Sequence, residues 1–75
     1  MDRPTARRIK SAAVPYMDTN YNHVNIFILG DGRVDIEPVA GSLGAGAPAN
    51  PERYAQFWLN VPLGWLEDVD TIMEL

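Results

Sequence analysis

The sequence predicts an α+β fold: an antiparallel sheet of three to four strands with two C-terminal helices packed on one face. Three observations predict it. Val24 to Val39 alternates with the two-residue period of strands on either side of Gly30-Asp31-Gly32. Tyr54, Phe57, Trp58 and Val61 recur at i, i+3, i+4 and i+7, and a second apolar set with Leu66, Val69, Ile72 and Met73 follows Pro62 and Gly64. The chain has 75 residues, enough for one domain but too few for a deep cleft with a supporting shell, so a binding module is the better prior than an enzyme.

Residues 1–10 carry Arg3, Arg7, Arg8 and Lys10 and read as a basic flexible N-terminal tail, leaving 11–75 as a single α+β domain. Ala12 to Asp18, with Val14, Tyr16 and Met17, reads as a short first strand, bulged or at an edge because Pro15 lacks an N–H. Thr19 to Asn22 supplies turn chemistry before the strand pair.

Register decides which side chains of that pair face out. A two-residue loop of Asp31 and Gly32 would set Ile28 opposite Asp35 and Phe27 opposite Ile36, mixing apolar residues and carboxylates on both faces. A three-residue loop with Gly32 in the left-handed conformation instead pairs Ile28 with Val34 and Ile26 with Ile36. Val24, Ile26, Ile28, Val34 and Ile36 then form one core face. The other carries Asn25, Phe27, Leu29, Arg33, Asp35 and Glu37, a mixed apolar and charged surface suited to a partner. Scattered exposed apolar residues are the plainer alternative for Phe27 and Leu29.

Pro38 ends the third strand, and the Gly/Ala-rich run Ala40 to Ala49 reads as a loop or weak edge strand. Asn50 and Pro51 have the form of a helix cap and first position, with Glu52 in the first turn. The first helix is expected from there to Val61. The second places Trp65, Leu66, Val69, Ile72 and Met73 inward, with Glu67, Asp70 and Glu74 outward. The face bearing Phe27 and Leu29 is left uncovered in this arrangement.

Net charge is −4, and nine of the ten carboxylates lie beyond the first ten residues, where Arg33 and Arg53 are the only Lys or Arg. So acidic a body repels phosphate backbones and is drawn to basic surfaces. No direct nucleic-acid contact, small-molecule substrate or membrane partner is expected. The chain has no cysteine, which removes disulfides and thiolate metal sites. No apolar run reaches bilayer length and no signal core follows the arginines, so a cytoplasmic protein is expected. Neither a catalytic constellation nor a cofactor or metal site can be assembled. His23 has no co-ligands at suitable spacing. Ser11 and Ser42 lack a base partner, and Gly41-Ser42-Leu43-Gly44-Ala45-Gly46 lacks the lysine of a phosphate loop. Glu67, Asp68, Asp70 and Glu74 sit on a helix rather than in a calcium loop. Trp58 and Trp65 share helical spacing with other apolar residues, which makes them core rather than base-stacking platforms.

Pro15-Tyr16-Met17-Asp18-Thr19, Asn22-His23-Val24-Asn25-Ile26, Ile36-Glu37, Ser42-Leu43-Gly44-Ala45, and Phe57-Trp58 ahead of Pro62 with Leu66, Val69 and Met73 follow in an order that resembles the first-described family of phage type I-F anti-CRISPR proteins. The resemblance runs from about Ser11 to Leu75 and rests on order and spacing rather than on one motif. It implies a four-stranded antiparallel sheet with two helices on one face, residues 42–47 being the fourth strand. It further implies a non-catalytic inhibitor of the type I CRISPR surveillance complex (Csy/Cascade). Docking on the backbone subunit that holds the guide RNA would block hybridisation with target DNA, in the cytoplasm of the bacterial host. The family grips its partner through two tyrosines and a glutamate. Tyr16 matches the first tyrosine and Glu37 the glutamate, while Leu29 stands at the second tyrosine and loses a hydroxyl and a ring. The partner-binding set is thus Tyr16, Asn25, Phe27, Leu29, Arg33, Asp35 and Glu37.

Two other readings compete with this one. Glu67, Asp70 and Glu74 on the last helix could mimic a row of phosphates in a DNA-binding groove. Alternatively, the chain could be a small phage structural or regulatory protein whose basic start touches nucleic acid.

Overall fold

Asp2 starts the first element. Its carboxylate accepts the Thr5 N–H at 2.9 Å and caps helix α1 (Arg3–Ala13), with Pro4 in the first turn. Ala6, Ile9 and Ala13 form a stripe with no exposed surface, so residues 3–10 belong to a core-packed helix and not to a flexible tail. The arginines occupy the opposite side of the same helix. Next comes one 3-10 turn, Val14–Tyr16, where a short strand is expected from the sequence. Pro15 cannot donate to a ladder, and the Met17 N–H closes back on the Val14 carbonyl at 3.1 Å.

The computed structural model describes residues 1–40 and 48–75, so the expected fourth strand at 42–47 lies outside the described residues. Among those described, the sheet has three strands in the order β2-β1-β3: β1 (His23–Leu29), β2 (Val34–Pro38) and β3 (Tyr54–Pro62). The hairpin has the register the three-residue loop requires, Ile28 with Val34 and Ile26 with Ile36. Gly32 has φ +90°, the Leu29 N–H donates to the Arg33 carbonyl at 2.9 Å, and the Gly32 N–H donates to the Leu29 carbonyl at 2.9 Å.

The segment expected as the first C-terminal helix is strand β3. Asn50 and Pro51 start only a single 3-10 turn, Pro51–Arg53, without a side-chain cap. Tyr54 then faces Leu29, Phe57 faces Phe27, Trp58 faces Ile26 and Val61 faces Val24. Tyr54 and Phe57 are three residues apart, as are Trp58 and Val61. In a regular strand each pair would split between faces, but β3 carries two register shifts that return each pair to one side. Asn60, at φ +56° within one of them, donates its N–H to Asn25 Oδ1 at 2.9 Å.

The second expected helix forms in two pieces, a 3-10 turn Leu63–Glu67 and helix α2 (Val69–Met73), separated by extended Asp68. Leu66 and Ile72 are fully buried, and Val69 and Met73 pack on the core, whereas Trp65, expected inward, is 52 % exposed. The class is α+β, but its two helices lie at opposite ends of the sequence, and α1 packs against α2, β2 and the turn at Leu63–Glu67. Ala6, Ile9, Ala13, Val24, Ile26, Ile28, Val61, Leu63, Leu66 and Ile72 make one core between helices and sheet. Arg3 and Asp70, 3.0 Å apart and both exposed, tie the helices at the rim, a bond of little energy in water.

Ile9→Ala is expected to destabilise the fold by about 2–5 kcal/mol in urea titrations, because the methylenes leave a hole under the sheet; removing residues 1–10 should abolish the cooperative transition. The Thr5 hydroxyl and backbone N–H hold the Asp2 carboxyl below its ordinary pKa. A depressed carboxylate stabilises above its unfolded value and ceases to as pH falls through its native one. Asp2→Asn should therefore flatten the acid limb of stability against pH, measured by circular dichroism.

Candidate protein-binding face

The hairpin register puts Asn25 beside Glu37 and Phe27 beside Asp35 on the outer face, and β3 adds Tyr54 next to Leu29 and Phe57 next to Phe27. The face grades from charge on β2 to aromatic surface on β3. Arg33, Asp35 and Glu37 are exposed, while Leu29, Tyr54 and Phe57 are half-buried.

Phe27, expected to be exposed, is only 5 % accessible. It is absent from the inner core, and its ring lies 4.8 Å from that of Tyr54 and 6.3 Å from that of Phe57, tilted at 35° and 36°. The outer face therefore has its own small aromatic cluster, with Phe27 at the base and the other two rings above it. The Arg53 guanidinium lies 6.0 Å from the centre of the Tyr54 ring, at the outer range for cation–π attraction. Asn25 is 8 % exposed and its Oδ1 is committed to the Asn60 N–H, so its role is to hold the bulge of β3. Asn60 Oδ1 is itself buried without a hydrogen-bond partner among the described residues.

Tyr16 is not on the sheet. It sits in the turn after α1, packed against the inner core and edge-on to Tyr21 at 6.5 Å. Of the two positions matched to the family's grip, Glu37 alone lies on the outer face. The sequence brought Leu29, Arg33, Asp35 and Glu37 to this surface correctly. It missed Tyr54 and Phe57, whose aromatic character favours strands but whose spacing imitates a helix.

The other surfaces weighed from sequence are also defined. Of the acidic residues Glu67, Asp70 and Glu74, only Asp70 lies within α2, where it is paired with Arg3 at 3.0 Å. Among the described residues no group of three or more His, Asp or Glu is placed to hold a metal ion, and no helix is long and apolar enough to cross a membrane. No protein-family model, curated protein or solved structure matches the chain.

Asn25→Ala should cost about 1–3 kcal/mol in thermal melts, since it leaves the Asn60 N–H without its acceptor. Asn25→Asp, which keeps an acceptor oxygen, should recover part of the loss.

Proposed function

We propose that the chain is a protein-binding module that docks through the outer sheet face, with Leu29, Tyr54 and Phe57 as apolar contacts and Asp35 and Glu37 as charged ones. The observation that carries this reading is the half-exposed aromatic strip beside two exposed carboxylates on one continuous face. Aromatic groups already packed on Phe27 lose little side-chain freedom on contact, which suits them as anchors. The carboxylates select a partner surface rich in Lys or Arg and speed encounter with it.

The resemblance to the type I-F anti-CRISPR family supplies a specific partner of that character: the guide-RNA-holding backbone subunit of a type I surveillance complex, which must present basic residues to bind RNA. On this reading the chain acts in the bacterial cytoplasm as an inhibitor and performs no chemistry of its own. The roles divide differently from those the resemblance implies. Glu37 remains a contact, Tyr54 and Phe57 replace the missing ring at Leu29, and Tyr16 supports the fold.

Pull-down with purified type I surveillance complexes, with and without target DNA, tests the partner. Glu37→Lys or Tyr54→Ala should weaken capture by about tenfold or more, whereas Tyr16→Ala should lower the melting temperature and leave capture by the folded protein unchanged. Capture should also fall with added salt. Parent-level capture by a folded Glu37→Lys, Tyr54→Ala double variant would refute the assignment of the face.

A further inference from the structure

Four of the chain's six Lys and Arg residues lie on α1, and only Arg3 of these has an ion-pair partner among the described residues. Arg7 and Arg8 are exposed on the helix side opposite Ile9. They line an open groove of about 480 Å³ together with Ser11 and Ala12 of α1 and Arg33 and Val34 at the start of β2. Three arginines thus border one shallow, open depression of a molecule whose net charge is −4.

The Arg33 Nε donates to Asp31 Oδ2 at 2.7 Å and its backbone N–H to Asp31 Oδ1 at 3.0 Å. Of the guanidinium nitrogens, those bonds use Nε alone, and the terminal nitrogens have no hydrogen-bond partner among the described residues. The backbone N–H is the main reason the Asp31 carboxyl is held below its ordinary pKa. Counting Asp31, the groove keeps two net positive charges at neutral pH, with the Ser11 hydroxyl as a further donor and Ala12 and Val34 as an apolar floor. Planar guanidinium donors from two elements match the oxygens of a phosphate group, which they can engage in pairs.

We infer that this groove binds a small phosphate-bearing ligand of the polyphosphate or nucleotide class. A long phosphate backbone is a poorer occupant, because Asp35 and Glu37 stand exposed on the same strand just past Arg33 and would repel a strand continuing in that direction. The groove shares Arg33 with the outer face, and none of Leu29, Tyr54 and Phe57 of the aromatic strip lines it.

The test uses the full chain at low salt, titrated with sodium pyrophosphate and followed by backbone amide chemical shifts, with sodium chloride at matched ionic strength as the control. Saturable shifts should centre on residues 7–12 and 31–34. Arg7→Gln with Arg8→Gln, and separately Arg33→Gln, should each weaken binding by about tenfold or more, the size of a lost charge-assisted hydrogen bond. These side chains are exposed, and circular dichroism melts would verify that the variants stay folded. Equal shifts in the parent and in a folded triple Gln variant would overturn the inference, as would shifts reproduced by chloride alone. A parallel titration with a twelve-nucleotide single-stranded RNA separates the sources of phosphate: weaker binding than pyrophosphate supports a small ligand, and tighter binding overturns it.

Discussion

The structure depends on burying the central strand from both sides. β1 is buried through five consecutive residues, Val24 to Ile28, although successive side chains of a strand point to opposite faces. Val24, Ile26 and Ile28 are covered by α1, the Leu63–Glu67 turn and α2, and Phe27 by Tyr54 and Phe57. A chain of 75 residues has few large side chains with which to do both. The inner face takes the aliphatic residues of two helices, and the outer face is served by two rings from the neighbouring strand. Those same rings are left half-exposed on their far side, so covering Phe27 is also what creates an aromatic surface for another molecule.

The hairpin was legible because two glycines and an alternating pattern admit only one register that keeps carboxylates off the core, and Gly32 alone carries the positive φ that register needs. Strand β3 was not legible, because its bulges bring Tyr54 beside Phe57 and Trp58 beside Val61 at the three-residue spacing that normally marks a helix. The signal against a helix was compositional: Tyr, Phe, Trp and Val all favour strands, and Asn60 tolerates the positive φ of a bulge. Helix α1 was hidden for a different reason. Its four basic residues outweighed a short stripe of Ala6, Ile9 and Ala13, whose small side chains give weak periodicity although all three are fully buried. The outer face was recoverable wherever it depended on the hairpin, as for Arg33, Asp35 and Glu37. It was lost wherever it depended on β3, as for Asn25, Phe27, Tyr54 and Phe57.

Placing the helices at opposite ends of the sequence changes what the sheet edges must do. β2 exposes Asp35 and Glu37 and ends at Pro38, so it resists pairing with another strand. β3 carries no charged residue from Tyr54 to Pro62; its bulges distort the edge instead, which also discourages continuous pairing. The order helix, hairpin, strand, helix differs from the strands-then-helices order implied by the anti-CRISPR resemblance, and Tyr16 moves with it from sheet to turn.

That surface is divided by charge in a way composition conceals. The exposed side of α1 presents Arg7, Arg8 and Lys10, while the outer edge of the sheet presents Asp35 and Glu37, and Arg33 at the start of β2 lies where the two regions meet. Exposed charges are screened over about 8–10 Å at physiological salt, so the opposite charges offset one another most where they adjoin, around Arg33.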